Sequence, residues 1–149
     1  MRLVIQRVSR GKVTASGRVT GAIGEGSVVL IGIPPEDTTT EVAWAAGKIA
    51  NLRIFEDDDG KMNVSLVEKG GEVLLVSQFT LYGDARKGRR PSFIGAARGE
   101  EAKALYEAVA AALRSEGINC ATGEFGASMD VELVNAGPVT ILLDSEKTF

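Results

Sequence analysis

The chain has 149 residues, 44% of them hydrophobic and 25% charged, with a formal net charge of -3. That length supports one domain with a real core, and that charge gives no global pull towards nucleic acid. There is no histidine and one cysteine, Cys120, which excludes Ser-His-Asp and Cys-His catalysis, an internal disulfide, and zinc sites built on histidine or several thiolates.

Catalysis, if present, has to use carboxylates, lysine, hydroxyls, backbone groups or the substrate itself. No apolar run reaches the length of about 18 residues that a membrane span needs. The opening MRLVIQRVSRG has arginines inside its apolar stretch and no signal-peptide core. The expected location is the cytoplasm.

Residues 1–9 and 12–16 read as two strands joined tightly at Ser9-Arg10-Gly11. SGRVTGAIGEG continues as a short strand between glycine turns, and 27–33 (SVVLIGI) is a buried strand stopped by Pro34-Pro35. Thr38 and Glu41 have capping-box spacing, and Val42, Ala45, Ala46 and Ile49 recur at helical spacing, so 39–51 is a helix. LRIFEDDDGKMNVSL reads as a hairpin turning at Asp58-Asp59-Gly60.

The unbroken apolar run Val73, Leu74, Leu75, Val76 reads as a strand covered on both faces. Leu105, Ala108, Val109, Ala112 and Leu113 mark a second helix over 99–116, with Gly117 just past its end. Strands at 118–122, 128–135 and 139–144 finish the chain. With no linker, repeat or low-complexity tract, residues 1–149 form a single domain. The fold class is α+β, with curved, mostly antiparallel sheets in a barrel-like core and two main helices.

Several motifs fail on inspection. In FEDDDGKMNVSL, placing Gly60 at the glycine of a calcium loop puts Phe55 and Leu66 at ligand positions that need oxygen. GDARKGRR has Arg89-Arg90 where a phosphate loop needs Lys-Ser/Thr, and Pro91 follows where its helix should begin. GAIGEGSVV precedes a strand, so it is no dinucleotide fingerprint. The carboxylates Glu56 to Asp59, Asp84, Glu124, Asp130 and Asp144 show no pair spacing suited to acid-base hydrolysis. Lys48, Lys61 and Lys103 have no context for a lowered pKa.

The strand at 73–76 passes without a turn residue into Ser77, Gln78, Phe79 and Thr80. A core strand that ends in polar side chains faces something polar. Just beyond, RKGRRP places Arg86, Lys87, Arg89 and Arg90 within five residues. Such a run is either a solvated loop or a phosphate-contacting one, and its place beside the polar strand end favours the second. GEFGASMDV holds Phe125 and Met129, which can tuck into the core. VNAGPVTILL puts Gly137-Pro138 between two apolar strands, where a plain turn is the simplest reading.

Together SQFTL (77–81), NAGPVT (135–140), NLRIFEDDDGKMN (51–63), GEFGASM (123–129) and QRVSRGKV near the start resemble the D-aminoacyl-tRNA deacylase family, in order and over essentially the whole chain. Two positions depart from its pattern: Ala136 stands where Asp is common before Gly-Pro, and Glu124 stands where a basic or neutral residue is common. The resemblance implies a homodimer that hydrolyses the ester between a D-amino acid and the 3′-terminal adenosine of tRNA.

It further implies a cis Gly137-Pro138 bond that reaches into the partner subunit's pocket, facing Ser77, Gln78, Phe79 and Thr80. Phe125 and Met129 would wall the adenosine. No cofactor and no metal is called for.

Without histidine, this chemistry can rest on the substrate's own 2′-hydroxyl and on backbone N–H groups near Phe79 and Thr80 as oxyanion donors. Gln78 would orient the ester or sugar, and Ser77 and Thr80 would shape the floor. Carbonyls of a cis Gly-Pro would hold the ammonium group, so that an L side chain meets the wall, a D side chain escapes to solvent and glycine passes. Two alternatives stand beside it: Thr80 as covalent nucleophile, and an RNA- or nucleotide-binding dimer without catalysis.

Overall fold

A computed structural model describes all 149 residues. The strands are β1 (Arg2–Ala15), β2 (Arg18–Ile23), β3 (Gly26–Gly32), β4 (Arg53–Glu56), β5 (Met62–Ser65), β6 (Glu72–Ser77), β7 (Cys120–Thr122) and β8 (Met129–Asp144). The helices are α1 (Thr39–Asn51), the single turn α2 (Leu66–Lys69) and α3 (Gly99–Ser115). None is long and apolar enough to cross a membrane.

The main sheet runs β2-β1-β3-β6-β7, with β8 also paired to β1. The pairings of β1 with β2, β3 and β8 are antiparallel, whereas β3–β6 and β6–β7 are parallel. The α+β class therefore holds, with a parallel segment inside the mostly antiparallel sheet. One edge of β1 serves two partners: residues 2–8 pair with β3 and residues 11–15 with β2. The strand curves between them, and β2 swings round to approach β7. A Cβ on Gly21 of β2 would stand 2.7 Å from the Thr122 carbonyl oxygen. That close approach nearly closes the sheet into a barrel.

Ser9-Arg10-Gly11 is not a turn. β1 is one strand, and its pairing with β8 shifts register between Gln6 and Val8 and again between Val8 and Arg10. The buried side changes phase at the same places, from Leu3 and Ile5 to Val8 and then to Val13 and Ala15. Each irregularity resets the two-residue alternation, so the apolar side stays on the core.

β8 is likewise one strand where two were expected. β1 advances from Gln6 to Val8 while β8 retreats from Thr140 to Asn135, and Ala136 to Val139 are pushed out of the ladder. Gly137-Pro138 is the tip of that bulge rather than a turn between strands.

Both faces of β6 are covered. Val73 and Leu75 join Leu3, Ile5, Ile31 and the apolar sides of α1 and α3 in the main core. Leu74 and Val76 join Val8, Val13, Ile23 and Val28 on the other face. The capping box of α1 forms as the spacing requires, with the Glu41 carboxylate accepting from the Thr38 N–H at 2.8 Å. A second box, Ser65 with Glu68, starts α2. At the hairpin turn, the Asp57 carboxylate accepts from the amides of Asp59 and Lys61.

Candidate active site

β6 delivers its polar end to a defined place. The Gln78 N–H donates to the Ile31 carbonyl at 2.8 Å, extending the parallel ladder one residue past the end of β6. The chain then closes a single 3-10 turn over Phe79–Tyr82, with Leu81 N–H donating to Gln78 O and Gly83 N–H to Thr80 O. The Arg2 guanidinium fixes this turn by donating to the Leu81 carbonyl at 3.0 Å. As the opening residues of a helical turn, Phe79 and Thr80 have amides with no partner inside it. The Gln78 side-chain amide donates to the Thr80 hydroxyl.

A cleft of about 500 Å³ opens at this strand end. Ser77, Gln78 and Phe79 form one side. Phe125, Gly126, Ala127 and Met129 form a second, and Ala97, Arg98 and Gly99 at the start of α3 form the rim. Phe79 is 50% exposed and packs edge-on against Phe93, with ring centroids 5.2 Å apart.

Phe125 rests on Tyr106 of α3 at a centroid distance of 5.6 Å. The buried Tyr106 hydroxyl donates to the Leu75 carbonyl at 2.8 Å, and the Gly123 N–H donates to the same oxygen at 3.0 Å. One carbonyl of β6 thus ties together the helix, the floor strand and the loop that carries Phe125. Burial raises the Tyr106 phenol well above its ordinary range, so it stays protonated.

The cleft lining has one ionisable side chain, Arg98, and no carboxylate, lysine or thiol. Its polar groups, those of Ser77, Gln78 and the backbone, can orient a ligand and bind an oxyanion. None of them is a base at neutral pH. No three Asp, Glu or Cys side chains converge as a metal site anywhere in the fold.

The Gly137-Pro138 peptide is cis, and both residues are exposed, outside the lining of this cleft. Their bulge is held from behind. Arg7, with a side chain only 11% exposed, donates from Nε to the Ala136 carbonyl at 3.0 Å and from Nη1 to the Ile54 carbonyl at 2.8 Å. Its Nη2 lies 3.5 Å from Glu56. The Asn135 side chain accepts from the Val139 N–H and donates to the Thr140 hydroxyl, spanning the neck of the bulge.

Ser77, Gln78, Phe79, Phe125 and Met129 therefore meet in one cleft. Thr80 sits beside it, with its side chain outside the lining, and Gly137 and Pro138 are elsewhere on the same chain. Arg86, Lys87, Arg89 and Arg90 are all exposed. Arg86 is already engaged by Asp84 through contacts of 2.9 and 2.6 Å, and that guanidinium holds the Asp84 carboxyl well below the usual carboxylate range. Sequence reasoning missed Arg98 and Gly99, because only the docking of α3 against β6 brings residue 98 beside residue 77.

The model of the family described as D-Tyr-tRNA(Tyr) deacylase matches residues 4–144. A D-aminoacyl-tRNA deacylase of Koribacter versatilis (strain Ellin345) is 60% identical over 149 residues, covering 100% of both chains. One of Thermus aquaticus is 60% identical over 147 residues, covering 99% of this chain and 97% of its own.

Among solved structures, one named c-Myc DNA Unwinding Element Binding Protein superposes with a TM-score of 0.90 at 44% identity, covering 97% of this chain and 99% of its own. A probable eukaryotic D-amino acid tRNA deacylase shares the fold, with a TM-score of 0.84 at 20% identity and coverage of 95% and 97%. The chain belongs to the D-aminoacyl-tRNA deacylase family.

Proposed function

We propose that this protein hydrolyses the ester linking a D-amino acid to the 3′-terminal adenosine of tRNA, releasing both, and that glycyl-tRNA is cleaved as well. The observation that carries the reading is the division of the motif residues. Ser77, Gln78 and Phe79 share a cleft with Phe125 and Met129, while the cis Gly137-Pro138 tip projects from the surface of the same chain. A second copy that inserts this tip into the first copy's cleft completes the site, and the homodimer does so twice.

The chemistry follows from what the cleft lacks. With no base in the lining, the substrate's 2′-hydroxyl positions or polarises the attacking water. The amides of Phe79 and Thr80 receive the developing oxyanion, each such donor being worth about 2.7–4 kcal/mol in the transition state. Gln78 orients the ester or sugar, Ser77 shapes the floor, Thr80 supports it from beside the cleft through its bond to Gln78, and Phe125 and Met129 wall the adenosine.

The Thr80 hydroxyl accepts from an amide N–H, which does not make it a nucleophile, so the covalent alternative lacks its base. At the tip, the carbonyls of Gly137 and Pro138 hold the ammonium group, and an L side chain collides with them. Lys87, Arg89 and Arg90, with Arg86 less available, contact tRNA phosphates.

The test is release of labelled D-tyrosine from tRNA at catalytic enzyme concentration, with L-tyrosyl-tRNA and 2′-deoxy-terminated D-tyrosyl-tRNA beside it. Turnover of the first alone supports the reading, and undiminished cleavage of the deoxy substrate refutes the assisted mechanism. Nucleic-acid binding without turnover is the second reading, favoured by the name of the 44% identical solved structure and by the basic loop. Stoichiometric binding with no release would establish it instead.

A further inference from the structure

We propose that Arg2, which lies outside the cleft lining, is a positioning residue for hydrolysis: its guanidinium holds the turn that aims the Phe79 amide at the developing oxyanion. The inference rests on the deacylase reading above and concerns a residue which that reading does not use.

Arg2 stands at the start of β1, aligned on Gly32 of β3 and on Asp144 of β8. The turn Phe79–Tyr82 sits directly against that end of the sheet. A Cβ on Gly32 would stand 3.0 Å from the Leu81 Cβ, 3.1 Å from the Gln78 carbonyl oxygen and 3.1 Å from the Tyr82 ring. Arg2 clasps the same turn. Its Nη1 donates to the Leu81 carbonyl at 3.0 Å, and its Cζ lies 4.4 Å from the centre of the Tyr82 ring.

The guanidinium is itself anchored. Nε donates to the Asp144 carboxylate at 3.2 Å, and Nη2 donates to the Thr148 hydroxyl at 3.4 Å. The Asp144 side chain is fully buried and also accepts from the Glu146 N–H and the Thr148 hydroxyl. The turn, in contrast, contains no buried residue, so packing alone does little to keep it rigid. None of Arg2, Leu81, Tyr82 and Asp144 lines the cleft.

The route from Arg2 to the reacting atoms runs through peptide planes. A trans peptide is planar with its N–H and C=O pointing opposite ways, so fixing its oxygen fixes the direction of its N–H. Arg2 holds residue 81 by its carbonyl. The Leu81 N–H donates to the Gln78 carbonyl at 3.2 Å, and the peptide with this carbonyl also carries the Phe79 N–H. Phe79 lines the cleft, and its amide is one of the two oxyanion donors in the reading above. Arg2 therefore acts on turnover through that donor and not on affinity.

The experiment measures D-tyrosyl-tRNA hydrolysis per active site, with sites titrated by the non-hydrolysable amide 3′-D-tyrosylamino-3′-deoxyadenosine. Arg2→Ala should lower kcat by about tenfold, short of the roughly 100- to 1,000-fold cost of losing an oxyanion donor outright. KM and the Kd of the amide should stay at the wild-type level. Arg2→Lys keeps the charge but not the fork that reaches Leu81 and Asp144 together, so it should recover only part of the loss. Gly32→Ala lifts the turn without removing a charge and should lower kcat in the same way.

An unchanged kcat per site in Arg2→Ala overturns the assignment. A loss confined to KM that vanishes at high salt also overturns it, by making Arg2 a distant attraction for tRNA phosphates. A loss fully explained by fewer titrated sites would mean that Arg2 serves folding alone. If Arg2→Ala yields no folded protein, Arg2→Lys and Gly32→Ala decide by the same kcat per site. Each of these results leaves the deacylase intact. Wild-type protein that binds the amide but does not hydrolyse D-tyrosyl-tRNA overturns the deacylase reading and this inference with it.

Discussion

Gly137→Ala tests the bulge of β8 most directly. Gly137 has φ +120, a region that a residue with a Cβ occupies at a cost of about 1–3 kcal/mol. The new methyl would also stand 2.6 Å from the Arg7 Nη2 and 3.1 Å from the Val139 Cγ2. Arg7 cannot yield without weakening its bonds to the Ala136 and Ile54 carbonyls, and a hydrogen bond to a charged group contributes about 1.5–3 kcal/mol.

Together the two effects destabilise the protein by about 2–4 kcal/mol. For a chain of this length that lowers Tm by about 5–15 °C. Urea and thermal unfolding at matched protomer concentration measure both quantities, and D-tyrosyl-tRNA hydrolysis by the folded fraction measures the effect on activity. The displaced tip should lose most D-substrate turnover. A variant with wild-type Tm refutes the conformational argument. One with lowered Tm but full activity refutes the role given to the tip.

Thr80→Ala should keep its fold and most of its turnover under the substrate-assisted route. Complete loss with intact substrate binding would favour the covalent alternative. Burial pushes the Cys120 thiol up to about 11, with Arg114 opposing only in part. Labelling by iodoacetamide at pH 8 should therefore track unfolding, and rapid labelling of native protein would refute that burial.

The carboxyls of Glu41 and Glu68 lie below their ordinary range, chiefly because the Thr38 and Ser65 N–H groups donate to them, and that of Asp57 chiefly because the Lys61 N–H does. Their folded pKa values are below the unfolded ones, so their stabilisation is complete only above about pH 5, where the unfolded carboxyls are ionised too, and is lost as pH falls through the folded values. The urea midpoint should hold from pH 7 to 5 and drop below 4, with a shallower acid slope in Glu41→Gln/Glu68→Gln. An unchanged slope would refute the contribution of the caps.

Much of the fold was legible because local signals agreed. The Thr38–Glu41 box and the apolar spacing of 42–49 specify α1 without help from the rest of the chain. The run 73–76 announces a strand buried on both faces, and the polar residues after it announce a site. The two long strands were harder. Ser9-Arg10-Gly11 and Ala136 to Val139 look like turns because turns and bulges draw on the same residues, and only pairing across the sheet tells them apart.

The candidate site divides the same way. Ser77 to Phe79 are visible where their own strand ends, whereas Phe125 and Met129 read locally as core residues and were placed at the site only by the family resemblance. Arg98 gives no local sign, because its place in the cleft lining depends on where α3 docks. The separation of Gly137-Pro138 from its own chain's cleft was implied by the family resemblance and not by any local signal. Neighbouring residues fix the shape of a bulge but not the surface that it meets.

The first strand of this protein has one edge bonded to β3 and the other to β8, with Arg2 aligned on Gly32 and on Asp144. During synthesis the β3 side can zip once residues 26–32 have emerged, while the opposite side stays bare until residues 129–144 follow. Contacts so distant in sequence close slowly. Throughout that wait the exposed backbone invites pairing with a stray strand. Shielding of that rim, and not only the strength of the finished core, then bears on how much newly made chain escapes aggregation.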